Sequence, residues 1–141
     1  MHDILKLIHV LAFSAGFGGS IAGAVVGIRA GQADAALRPT LGGIQAILGR
    51  IGFASIILLW ITGLWMFFRD YHGDAAALGL SFAIKMLAVI VATIASFGAQ
   101  YLGIRFRGRG LPPPMPLMKR IGQTTLLAVL IAIIFAVYTF N

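Results

Sequence analysis

Four apolar stretches, each near the length that crosses a bilayer, occupy most of this chain. They run over about 4–28, 46–68, 78–104 and 121–140. A helix needs about 20 apolar residues to traverse a hydrocarbon core roughly 30 Å thick. In lipid the backbone must satisfy its own hydrogen bonds, which such stretches do as helices. The pattern therefore predicts an all-α fold: one domain over residues 1–141, built as an integral membrane four-helix bundle. Composition agrees. Hydrophobic residues make up 60% and charged residues 11%, where a soluble domain carries about 25% charged. A soluble globule, a disordered chain and a nucleic-acid module are excluded; the bilayer is the first partner. The first stretch is too long for a signal-peptide core and lacks a basic cluster at its start. It reads as a retained span.

The 11 basic residues outnumber the 4 acids, for a net charge of +7. All four acids are aspartates: Asp3, Asp34, Asp70 and Asp74. None lies deep in an apolar run, so a carboxylate proton relay and paired-carboxylate hydrolysis are poor readings. Cysteine is absent, which excludes disulfides, thiolate metal sites and a catalytic thiol. The bases sit mostly between the spans. Loop one holds Arg29, Arg38 and Arg50 against Asp34. Loop three holds Arg105, Arg107, Arg109, Lys119 and Arg120 with no acid, whereas loop two sets Arg69 against Asp70 and Asp74. Positively charged loops stay in the cytoplasm, so loops one and three are expected there, with loop two and both termini outside. Trp60, Trp65 and Tyr71 gather toward the outer end of the second span, and Tyr138 toward that of the fourth, as interface aromatics do. Loop three, Arg105–Arg120, is rich in proline and predicts an irregular, extended connector. It is either a stiff linker with lipid-facing bases or a docking site for a cytoplasmic partner.

Small residues mark the first span. Ala15, Gly19, Gly23 and Gly27 recur at a spacing of four, and Ala12, Gly16, Ser20 and Ala24 form a second stripe beside them. Such stripes let another helix approach closely. The approach would be within the bundle or to a second copy. The glycines also leave room for a flat macrocycle near a histidine.

Ionisable groups at membrane depth are costly, so each is a functional candidate. His9 lies about 8 Å inside the first span at the helical rise, with Ala12 and Gly16 on its face. Imidazole is a common ligand for metals and haem iron; the plainer alternative is a histidine bonded to a carbonyl or water near the headgroups. Lys85 falls at a similar depth in the third span, where it would snorkel outward or pair with Asp70, Asp74 or a ligand carboxylate. Arg50 reads as an anchor at the start of the second span. Met66 and Met86, with His9 and His72, form a soft set suited to copper, although methionine also fills apolar gaps.

These residues form a recognisable pattern. Lys6-Leu-Ile-His9 opens a span that ends at Arg29. Ile84-Lys85-Met86-Leu87 lies early in the third span, and a last span runs from Arg120-Ile-Gly-Gln-Thr-Thr-Leu to Phe140-Asn141. The chain resembles, over nearly its whole length, the bacterial HemJ-type protoporphyrinogen oxidases and the membrane domain of copper-resistance D-type proteins. That resemblance implies a compact four-helix protein of the bacterial cytoplasmic (inner) membrane. It implies His9 as a ligand of haem b and Lys85 as a residue of the haem or substrate site. Where the oxidases carry an acidic Asn-Glu-x-Pro-Thr motif, this chain has Ile121-Gly-Gln-Thr-Thr125. Where they carry a tryptophan near Gly16, it has Ser14-Ala15.

Three functions follow. The first is a haem-binding, redox-active membrane protein with His9 on iron, Gly16 admitting the porphyrin and Lys85 as second ligand or propionate partner; as an enzyme it would be a haem-dependent oxidoreductase. The second is a non-catalytic subunit of a larger membrane complex or homo-oligomer. The third is copper handling through His9, Met66 and Met86.

Overall fold

The computed structural model describes residues 2–70, 72–74, 76–111 and 114–139. Four helices account for nearly all of them: α1 (His2–Gln32), α2 (Arg38–Asp70), α3 (Gly79–Gly108) and α4 (Met115–Thr139), with a short 3-10 turn at Ala76–Leu78 before α3. All four are long and apolar enough to cross a membrane. The protein is thus an all-helical, multi-pass membrane protein. Tyr71, Pro112, Pro113 and the Phe140-Asn141 end, singled out in the sequence, lie outside the described residues.

The helices pack as two antiparallel hairpins. α1 lies along α2 and α3 along α4; lighter contacts of α1 with α4 and of α2 with α3 close the bundle. Among the described residues, every buried apolar residue is an alanine: Ala12, Ala30, Ala88, Ala92 and Ala128. The buried polar residues, Ser55 and Thr62, are also small. Large side chains such as Leu7, Leu11, Ile61, Phe68, Leu87 and Ile94 face outward. Water would not tolerate so much apolar surface. In lipid there is no hydrophobic gain from burying it, so helices associate by close backbone approach at small residues. The size pattern follows from the solvent.

The helices outrun the apolar stretches. At 1.5 Å per residue, α2 with its 33 residues spans about 50 Å, beyond the hydrocarbon thickness of about 30 Å. α2 starts at Arg38, with Pro39 in its first turn, where a missing N–H costs nothing. Arg50, expected at the start of a span, therefore lies well inside this helix. Loop three is also shorter than its prolines suggest. α3 continues through Arg105 and Arg107 to Gly108, and α4 begins at Met115 with Pro116 in its first turn. The break itself is a Schellman end. Leu111 N–H donates to Phe106 O at 3.0 Å and Gly110 N–H to Arg107 O at 3.0 Å. Gly110 adopts φ +65°, a conformation that glycine takes without steric cost.

Part of the small-residue face of the first span is spent on α2, at Gly16, Gly19 and Gly27. A Cβ at Gly16 would stand 3.1 Å from Ser55 Cβ, and one at Gly27 would stand 2.9 Å from Gln45 Nε2, whereas Gly18 faces open space. Gly16→Leu is expected to destabilise the protein by about 1–3 kcal/mol, as overpacking does. Gly18→Leu should stay within about 0.5 kcal/mol of the parent. Thermal or SDS-induced unfolding of the two variants in detergent checks the contrast.

Candidate functional site

Close approach of α1 and α2 brings His9 to Thr62. The imidazole Nδ1 lies 2.7 Å from Thr62 Oγ1. Thr62 is buried at 3% exposure, and its hydroxyl donates to Leu58 O at 2.6 Å within the same helix. With that hydrogen committed, both short contacts are met only if His9 Nδ1 carries a proton and donates to Thr62. A ring protonated only there keeps its lone pair on Nε2, the nitrogen left for a ligand. Gly63, the next residue, packs beside the ring: a Cβ there would meet His9 Cε1 at 3.5 Å, an ordinary contact distance. Sequence reading found His9 but missed Thr62 and Gly63. A threonine followed by glycine in mid-span carries little signal until the register with α1 is known.

Lys85 comes from the neighbouring hairpin. The α2–α3 contacts Trp60–Thr93 and Phe67–Phe82 set Lys85 within about two turns of the level of Thr62, and so of His9. The ammonium also stands 5.9 Å from the centroid of Phe82, within cation–π range. Phe82 stacks on Phe67 at 5.3 Å, and this packing joins α3 to the far end of α2.

The remaining candidates divide. Gly16 packs directly on Ser55, so α2 fills the space over it. Met66 is half-buried one turn beyond Thr62, and Met86 is half-buried beside Lys85. His72 is exposed in the α2–α3 connection with φ +50°. No group of three or more His, Cys, Asp or Glu side chains among the described residues could hold a metal ion. Trp60, expected as an interface anchor, turns inward. Its indole N–H donates to Thr93 Oγ1 at 2.9 Å, and Thr93 in turn donates to Val89 O at 2.7 Å. This repeats the His9–Thr62 arrangement between α2 and α3.

Comparison with known proteins adds no relative: no family model, curated protein or solved structure matches the chain.

The His9–Thr62 bond should be measurable as a coupling. A double-mutant cycle of His9→Leu and Thr62→Val, read by unfolding in detergent, is expected to give about 0.6 kcal/mol, with about 1.7 as the ceiling for such bonds in membranes. Additive single mutants would show that the two side chains do not meet.

Proposed function

We propose that this chain is a haem-binding protein of the bacterial inner membrane, with His9 as axial ligand and Lys85 as the cation beside it. The observation that carries this reading is the His9–Thr62 hydrogen bond. Metal-bound histidines characteristically donate their other ring N–H to a fixed acceptor, which sets the tautomer and the ring orientation. With Nδ1 as donor, His9 does so toward a buried hydroxyl, and Nε2 is the nitrogen left for iron. The donor chemistry fits a haem held through one histidine. Haem b bound there would supply a redox-active iron. The chain's own contribution is to orient the imidazole through Thr62 and to offer the Lys85 ammonium to a propionate or another anionic group. Gly16 serves the same site from below, by letting α2 close to the distance at which Thr62 reaches His9. The resemblance to the HemJ and copper-resistance D group points the same way.

Orientation belongs to the same proposal. The ends of α1 and α3 and the starts of α2 and α4 carry Arg29, Arg38, Arg105, Arg107, Lys119 and Arg120, which supports a cytoplasmic location for that end. The His9 end, with both termini, then faces the periplasm.

An absorbance spectrum of the protein purified in detergent from haem-replete cells tests the reading. A Soret band at stoichiometric intensity is expected. His9→Ala should lose it, and His72→Ala should keep it. Thr62→Val should retain haem less tightly, since loss of such an outer-shell partner costs about 10–100-fold in affinity. A colourless parent would remove the haem assignment. If that preparation carried a companion protein, it would favour a subunit of a larger complex; if it carried copper, it would favour the set His9, Met66 and Met86.

A further inference from the structure

Arg50 stands at a depth that its place in the sequence conceals. The α1–α2 register is set by Gly16 against Ser55 and Gly19 beside the Leu48 carbonyl, 3.8 Å from its would-be Cβ. Arg50 lies between these contacts, level with Gly19 and Ser20 near the middle of α1's apolar run. Arg29, which ends that run, is nine residues beyond Ser20, about 14 Å along the helix axis. The α2–α3 register agrees. Gly49 abuts Gln100, whose Nε2 is 3.4 Å from a Cβ placed there, and Arg105 lies five residues on, about 8 Å nearer the basic end. Arg50 is thus drawn inward from the level that Arg29 and Arg105 share.

Its side chain is exposed and makes no hydrogen bond or ion pair with another described residue. It shares a helix face with Ala54, one turn away. There a shallow apolar groove begins between α1 and α2, lined by Leu11, Ala12, Ala15, Ile51, Ala54 and Leu58 among others. A guanidinium facing lipid at this depth needs an anion, and its flexible stem reaches toward the headgroups to find one. The α1–α2 seam provides a channel alongside.

We propose that the α1–α2 face binds an anionic phospholipid, with the phosphate held by Arg50 and one acyl chain lying in the groove between Ala15 and Ala54. Guanidinium pairs with phosphate through a planar fork of donors, and the groove is apolar, as an acyl chain requires. The small residues that let the helices close also leave their outer edge hollow enough to seat a chain.

Native mass spectrometry of the full chain in detergent tests this, using titrations with phosphatidylglycerol and phosphatidylcholine of identical acyl chains. The parent should retain phosphatidylglycerol about fivefold more strongly, as one favourable guanidinium contact with a net anionic headgroup gives. Arg50→Gln should abolish the preference, and Arg107→Gln, at the helix end, should leave it. Ala54→Phe, which fills the groove without touching the charge, should weaken retention of both lipids. An unchanged preference in Arg50→Gln overturns the proposal. So does release of a co-purifying protein by Arg50→Gln without a change in lipid preference, which would assign Arg50 to a protein contact.

Discussion

The contact of α1 with α2 is the constraint on which the rest depends. Two helices in lipid have no water to drive them together, so they hold by backbone proximity and by whatever polar bonds that proximity permits. Here proximity comes from a line of small residues. His9, Ala12, Gly16, Gly19, Gly23 and Gly27 follow one another at steps of three or four, the spacing of a single helix face. Opposite them stand Thr62, Ser55, Leu48 and Gln45. A larger side chain at Gly16 would push the helices apart, and Thr62 would move out of reach of His9. Packing and candidate chemistry are therefore one feature seen at two points along the same seam.

Polar groups inside the bundle follow a common plan. Thr62 and Thr93 each donate to the carbonyl one turn back, and each lies against a ring nitrogen from the neighbouring helix. This spends both sides of the hydroxyl, and no buried side-chain polar atom among the described residues is left without a partner. Placed two residues apart on α2, Trp60 and Thr62 point to different neighbours, so that α2 makes a polar tie to each of α1 and α3. The His9 ring differs from the Trp60 ring in one respect that matters for function: it has a second nitrogen, and that nitrogen is not needed for the tie.

Much of this was legible in the sequence. The four spans, the helical class and the shared depth of His9 and Lys85 follow from apolar run length and a rise of about 1.5 Å per residue. The stripe of glycines was visible as well, but not its partner, because a small-residue face looks the same whether it meets another helix, a second copy or a ring. Helix ends were read poorly where polarity was taken for irregularity. Arg38–Gly49 is helical although it is polar at its start, and Pro116 sits in a first turn that tolerates it. Arg50 shows the same limit. Its place beside an apolar run suggests an edge, and only the pairing of α1 with α2 reveals how far inside that edge it lies. The inward turn of Trp60 likewise depends on Thr93, a residue 33 positions away.

The register of α1 against α2 is the claim from which His9, Thr62 and Arg50 all take their positions, and a disulfide reads it directly. The chain has no cysteine, so an introduced pair reports without background. Gly16→Cys combined with Ser55→Cys starts from a Cβ–Cβ separation of 3.1 Å, and the slight parting of the helices that a Cβ at Gly16 forces brings the pair into the range of about 3.5–4.5 Å that a disulfide spans. Mild oxidation in native membranes should cross-link this pair within one chain in high yield. Gly18→Cys with Ser55→Cys, from a position facing open space, should not cross-link within the chain. Absence of the first cross-link, or its appearance only between two chains, would contradict the register and the site built on it.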